Sequence, residues 1–203
     1  MTKTWFITGT SKGFGRIWAE AALERGDRVA GTARDVATLQ PLVAAYPETF
    51  LPLALDVTDR DADFLAVAAA KERFGRIDVG VNNAGFGHFG AIEELTEAEA
   101  RAQIETNVFG ALWVTQALVP VMREQGGGRI LQVSSIGGIS AFPYLGIYNA
   151  SKWALEGFSQ ALAAEVASFG IRVTLVEPGP YGTDWGGPSA VVSAPMPEYE
   201  FLR

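Results

Sequence analysis

The chain has 203 residues, with 23 acidic against 16 basic side chains and a formal net charge of −7 at pH 7. That negative balance argues against nucleic acid or an anionic membrane as the main partner. Cysteine is absent, which removes disulfides, thiolate zinc sites, iron–sulfur clusters and thiol nucleophiles, and the single histidine, His88, leaves no multi-histidine metal site. With 48% apolar and 19% charged residues there is ample material for a packed core, and the length suits one domain over residues 1–203.

The apolar stretch Trp5–Ile7 is too short for a secretory signal. The most apolar region, Ala111–Met122, is broken by Thr115, Gln116 and Pro120 and falls short of the roughly 20 residues that span a bilayer. A soluble cytoplasmic protein is the expectation.

Short apolar runs alternate with longer amphipathic stretches from the first residues onward. The runs are Trp5–Thr8, Arg28–Thr32, Phe50–Leu55, Ile77–Val81, Arg129–Val133 and Arg172–Val176. Each is apolar on both alternations, as strands buried on two faces are. Between them the pattern predicts helices over Gly13–Arg25, Asp59–Phe74, Thr96–Arg123 and Tyr148–Phe169, with Thr96 as an N-cap ahead of Glu97 and Glu99. Strands separated by helices imply right-handed crossovers and a doubly wound α/β sheet, parallel, with helices on both faces. From Gly179 to Pro197 repeated Gly and Pro show no periodicity and read as a loop or lid.

The segment Thr8-Gly9-Thr10-Ser11-Lys12-Gly13-Phe14-Gly15 follows the first strand and opens the first helix. There small residues let the backbone pass close to a pyrophosphate, and the helix N-terminus offers N–H groups and positive partial charge. Taken alone, such a turn also suits an ordinary tight bend. Further signals follow in order. Asn82-Asn83-Ala84-Gly85 closes the fourth strand, Asn107 lies in the long helix after it, and Ser135 ends the fifth strand. Tyr148 and Lys152 are four apart, and Pro178-Gly179 with Thr183 follows the sixth strand.

This set resembles the short-chain dehydrogenase/reductase family, over roughly residues 3 to 185. The resemblance implies a Rossmann-type fold and an NADP(H)- or NAD(H)-dependent oxidoreductase that interconverts alcohols and carbonyls. It assigns Asn107, Ser135, Tyr148 and Lys152 to catalysis. Gly9, Thr10, Ser11, Lys12, Gly13, Phe14, Gly15, Asn83, Ala84, Gly85, Pro178, Gly179 and Thr183 are assigned to the cofactor, together with Tyr148 and Lys152.

Tyrosine ordinarily titrates near 10, too high for efficient proton transfer at neutral pH. A cation is needed to lower it, and Lys152 at i+4 lies on the same helix face as Tyr148. Ser135 would hold the substrate oxygen, and by resemblance Asn107 would anchor a water linking Lys152 to solvent. The plainer reading makes Tyr148 a core aromatic, Ser135 a strand-end cap and Lys152 a surface charge.

At the end of the second strand, Gly31-Thr32-Ala33-Arg34-Asp35, the position that holds an acid in NAD enzymes is Ala33, and Arg34 beside it suits a 2′-phosphate. Lys12 adds a second cation. Asp35 would become a ribose ligand if the alignment slipped by one residue; as it stands it suits the N-cap of the next helix. NADP(H) is therefore the expected cofactor, with Asp56 and Val57 contacting its adenine.

Phe86, His88, Phe89, Ile136–Leu145 and the segment around Trp185 are expected to wall the substrate pocket. Phe142, Pro143, Tyr144 and Leu145 make it apolar and point to a hydrophobic alcohol or ketone. His88 would either contact substrate or simply be exposed in a loop. The pattern looks like the hydroxysteroid and retinol branch of the family.

Family members continue past this point with a further helix and strand. As given, the sixth strand becomes a sheet edge and residues 180–203 form a shortened substrate loop. That leaves a competing reading, a non-catalytic NADP(H)-binding sensor or partner-binding module, or an inactive fragment of a longer enzyme. Pairing of the two long helices with their symmetry mates would make a homodimer, with Trp153, Leu155, Phe158, Leu162 and Val166 as apolar material.

Overall fold

A computed structural model describes residues 2–181 and 190–203. Six strands form one parallel sheet: β1 (Thr4–Ile7), β2 (Arg28–Ala33), β3 (Phe50–Ala54), β4 (Val79–Asn82), β6 (Gly128–Val133) and β7 (Ile171–Val176), in the order β3-β2-β1-β4-β6-β7. The order reverses direction between β1 and β4, which opens a crevice at their carboxyl ends. The expected strands are all present, within a residue or two at each end.

Both faces of the sheet are buried because successive residues point opposite ways. Phe6 and Ala30 join the core beneath α3 (Arg60–Phe74), α5 (Ala111–Glu124) and α6 (Gly146–Val166). Their neighbours Ile7 and Val29 join the core beneath α1 (Gly13–Glu24) and α2 (Gln40–Ala45). Among the described residues β3 and β7 are the two edge strands of this sheet, and no helix is long and apolar enough to cross a membrane.

The caps follow from local chemistry. Asp59 accepts from Ala62 N at 3.1 Å to start α3, and Gly75, at φ +81°, ends it. Thr96 and Glu99 form a reciprocal capping box at α4 (Glu97–Ile104). Asp35 caps a single 3-10 turn, Val36–Leu39, accepting from Ala37 N at 3.0 Å.

Three features depart from the sequence reading. The long Thr96–Arg123 helix is interrupted by a π turn over Glu105–Gly110, so α4 and α5 are separate elements. The 179–197 segment is not all loop, since β8 (Val191–Val192) pairs in parallel with β5 (His88–Phe89), a strand the sequence pattern did not announce. The helix expected after Asp35 opens as the 3-10 turn Val36–Leu39 before it becomes the six residues of α2.

Candidate active site

The site is built where β1, β4 and β6 end. Thr8 fastens the first two ends together: its N–H donates to Val81 O at 3.0 Å, while its hydroxyl accepts from Asn83 N at 3.0 Å and Ala84 N at 2.9 Å. The Asn83 amide donates back to the carbonyls of Thr8 at 2.9 Å and Gly9 at 3.0 Å. Thr10 is tied to Thr32 O through its N–H at 2.8 Å and its hydroxyl at 3.2 Å. The chain thus turns sharply between two fixed points.

Gly9 and Gly13 have φ of +71° and +59°, in the left-handed region that favours glycine. A Cβ on Gly15 would meet the Gly9 carbonyl and, at 2.5 Å, the Asn83 amide nitrogen. These glycines, the start of α1 and the exposed Lys12 form an open cradle of the kind a pyrophosphate requires, so the residues present fit a dinucleotide. Phe14 lies stacked on Trp18 with ring centroids 5.3 Å apart. Arg34 is exposed at the end of β2.

Asp56 is exposed and accepts from Thr58 N at 3.0 Å and Thr58 Oγ1 at 2.9 Å, which sets the turn after β3. Val57 is buried in the core beside Gly110, where a Cβ would approach Val57 Cγ2 to 2.6 Å.

Ser135, Tyr148, Lys152 and Asn107 come together from three places in the sequence. Ser135 follows β6 and accepts from Gly137 N at 3.0 Å, capping the 3-10 turn Ile136–Gly138, so the strand-end role is real. A Cβ on Gly137 would stand 3.2 Å from Tyr148 Cε1 and 3.5 Å from Ser135 Oγ, so the two side chains meet at this turn. Lys152 is 7% exposed, no surface charge; its ammonium donates to Val133 O at 2.7 Å and stands 5.8 Å from the Tyr148 ring centroid. Gly85 lies between partners, since a Cβ there would be 3.0 Å from Asn107 Oδ1 and 3.8 Å from Lys152 Nζ.

Burial pushes the Tyr148 phenol above its ordinary range, with the Ser135 hydrogen bond pulling against it. Loss of water around the ring is the larger of the two effects. Burial also drives Lys152 down to about 8, opposed by the Glu156 carboxylate.

Asn107, in the π turn, is 2% exposed. Its amide is committed to protein: Oδ1 accepts from Phe86 N at 3.1 Å, and Nδ2 donates to Phe86 O at 3.0 Å and Ser151 Oγ at 3.1 Å. It therefore locks the loop after β4 to α6. Pro178 O accepts from Ile136 N at 3.0 Å, which brings the turn after β7 against the Ser135 turn; Gly179 follows it, and Thr183 and Trp185 lie outside the described residues.

Around this centre Ile136, Ile139 and Phe142 are exposed, and the Phe89 and Tyr144 rings lie 6.0 Å apart. His88 is neither exposed nor in a free loop. It is 1% exposed on β5, with Nε2 2.8 Å from Ser193 Oγ. The Ser193 hydroxyl donates to Glu99 at 3.3 Å, so the ring nitrogen is the donor to Ser193. Glu94 accepts from Ala91 N and Met196 N and pairs with Arg203. Sequence reasoning missed this polar strap over residues 88–99, because its partners are about a hundred positions apart.

Among the described residues no group of three or more acids and histidines is placed to hold a metal ion. The model of the short chain dehydrogenase family matches residues 3–190. An oxidoreductase of Botryotinia fuckeliana, BOA17, is 47% identical over 98% of this chain and 73% of its own length. A 3-ketodihydrosphingosine reductase of Bacteroides thetaiotaomicron is 44% identical over 87% of this chain, which spans 63% of that protein. A crystal structure of a short-chain dehydrogenase from Streptomyces avermitilis superposes with a TM-score of 0.93 at 48% identity, covering 98% of this chain and 74% of the other. The structure of ElxO with NADP bound superposes with a TM-score of 0.86 at 31% identity, over 91% of this chain and 76% of the other. Sheet order, glycine cradle, the Ser135–Tyr148–Lys152 cluster and these likenesses agree, and the chain belongs to the short-chain dehydrogenase family.

Proposed function

We propose that residues 1–203 act as one dinucleotide-binding and catalytic domain, an NADP(H)-dependent oxidoreductase interconverting a hydrophobic secondary alcohol and its ketone or an aldehyde. The observation that carries the reading is the meeting of Ser135, Tyr148 and Lys152 beside the open glycine cradle.

The nicotinamide cofactor, when bound, supplies or takes the hydride. The chain does the rest. Ser135 and the Tyr148 phenol hold the substrate oxygen, and in reduction Tyr148 gives its proton to that oxygen as the carbon takes the hydride. Lys152, four residues on along α6, supplies the positive charge that stabilises the phenolate left behind. Asn107 keeps Gly85 and Phe86 in place against α6.

NADP(H) is favoured over NAD(H) by Arg34 and Lys12, both exposed, and by Ala33 where an acid would repel a 2′-phosphate. A similar structure holds NADP, and another relative is named an NADPH-dependent reductase, although a further similar structure holds NADH. The exposed Ile136, Ile139 and Phe142 support an apolar substrate. Trp153 and Phe109 remain exposed on α6 and the π turn and support a homodimer, while Leu155 and Val166 serve the chain's own core.

The test is NADPH oxidation against a panel of hydrophobic ketones and aldehydes. The reading expects turnover that Tyr148→Phe lowers by about 10²-fold or more, with NADPH binding retained. It also expects Arg34→Ala to erase a preference for NADPH over NADH. Binding of either cofactor without Tyr148-dependent turnover would favour the sensor reading instead.

A further inference from the structure

The face of α6 that carries Tyr148 and Lys152 carries a third buried side chain. Glu156 follows Lys152 by four residues, as Lys152 follows Tyr148, so the three stand one above another along the helix. Glu156 is 5% exposed, and its Oε1 has no hydrogen-bond partner among the described residues. It is pressed beneath the turn that Ser135 caps. A Cβ on Gly138 would stand 2.6 Å from Ser134 Oγ, 3.1 Å from Glu156 Cγ and 3.2 Å from Oε1, so glycine lets the turn lie close over the carboxylate.

A carboxylate in such a place is costly unless a charge compensates it. Among the described residues Glu156 makes no direct ion pair. One helical turn away is an ammonium that is also buried and has a single carbonyl for its partner. Each ion is the nearest answer to the other's burial.

On the oxidoreductase reading given above, we propose that Glu156 is a positioning residue, whose buried carboxylate behind the site keeps the Lys152 ammonium protonated through the pH range in which Tyr148 works. Burial by itself drives Lys152 toward losing its proton, and Glu156 acts in the opposite direction. The other ionisable groups on elements packed against α6 are His88 on β5, Glu97, Glu99 and Arg101 on α4, Glu105 in the π turn and Arg172 on β7. Glu156, one helical turn from Lys152 on the same face and buried with it, is the group that opposes the loss of its proton. Neutralising it makes Lys152 deprotonate at a lower pH, and the phenolate then loses its cation.

The chain has four lysines, Lys3, Lys12, Lys71 and Lys152, so lysine labelled with carbon-13 at Cε gives a spectrum simple enough to titrate in the full chain. Lys152→Arg assigns the signal. In Glu156→Gln the Lys152 midpoint is expected to fall by about one pH unit, the other three lysines staying where they are, and Glu156→Asp is expected to recover most of the shift. In the NADPH-dependent assay the high-pH limb of kcat moves down by a similar amount in Glu156→Gln, with KM for the cofactor little changed. A Lys152 midpoint identical in wild type and Glu156→Gln overturns the proposal, as does a kcat lowered equally at every pH. Where Glu156→Gln fails to fold, the titration of Glu156→Asp against wild type decides, because a withdrawn carboxylate must lower the midpoint in part. Absence of turnover in the wild type would sink the oxidoreductase reading alone, since the titration stands without it.

Discussion

The side-chain amide of Asn107 pairs with the main chain of Phe86 as one strand residue pairs with another, accepting from its N–H at 3.1 Å and donating to its carbonyl at 3.0 Å. A third bond, to Ser151 Oγ at 3.1 Å, ties both to α6. The π turn positions this amide: one extra residue in the turn swings Asn107 inward between the loop after β4 and the helix of Tyr148. Asn107→Leu leaves the Phe86 N–H without its partner and the Phe86 carbonyl with the Gln103 amide alone. The expected loss is roughly 2–3 kcal/mol of stability by urea denaturation, and Asn107→Asp, which keeps the acceptor and loses the donor, should lie between. A leucine variant as stable as wild type would show that water replaces the amide.

The cofactor cradle makes a sharper demand at Gly15 than at Gly13. A methyl group at Gly15 collides with the Gly9 carbonyl and the Asn83 amide, two groups already hydrogen-bonded to each other. At Gly13 a Cβ meets nothing within 4 Å, and only its positive φ opposes substitution. Gly15→Ala is therefore expected to cost roughly 3 kcal/mol and to weaken NADPH binding at least in proportion, while Gly13→Ala costs about 1 kcal/mol. Tryptophan-fluorescence titration with NADPH and thermal melting of both variants check the order, and an equal effect at the two positions would refute the collision.

Acid stability should report on His88. Burial pushes its ring below the usual histidine range, against a smaller opposing pull from Glu99. The folded chain therefore keeps the ring neutral where the unfolded chain takes up a proton. That stability is fully present above the unfolded value of 6.5 and is lost as pH falls from there toward the folded value. Between pH 7 and 5 the wild type should lose stability that His88→Gln does not, visible as two denaturation midpoints converging on acidification. Parallel curves would mean that the ring is solvated in solution and that the Ser193 contact does not hold it.

What was legible in the sequence, and what was not, divides by the range of the forces involved. Strands such as Val79–Asn82 and Ile171–Val176 announce themselves because burial on both faces leaves an unbroken apolar run. Asp35, Thr96 and Asp59 announce helix starts because their bonds reach only two or three residues. The π turn at Asn107 leaves no compositional trace, being a slip in backbone hydrogen bonding. β5 and β8 are two residues each and form by main-chain pairing between segments about a hundred positions apart, Val191 N donating to Gly87 O and Ser193 N to Phe89 O. At the site, the spacing of Tyr148 and Lys152 was readable, but the raised phenol was not. It follows from burial of the ring, which lies against Gly137.

Asp63 is the plainest case of a local rule overridden. As an acid in the first turn of α3 it complements the helix dipole, an effect of about 0.3–1 kcal/mol. Yet it shares a face with Ala66, Val67, Ala70 and Phe74, is 0% exposed, and neither carboxylate oxygen has a hydrogen-bond partner among the described residues. Burial, with the nearby charges of Asp59 and then Asp56, raises its pKa to about 8 from an ordinary 3.8. The folded chain thus holds a proton that the unfolded chain releases above 3.8, so the stability Asp63 allows is complete below that value and is lost as pH rises toward 8. The burial penalty exceeds the dipole gain. Asp63→Leu, which matches its apolar neighbours, should be more stable than wild type by roughly 2 kcal/mol at pH 8, with the difference shrinking steadily toward pH 4. Taking the difference between the two proteins cancels every other carboxylate. A leucine variant no more stable at pH 8, or a difference that does not change with pH, would place Asp63 in water rather than in the core.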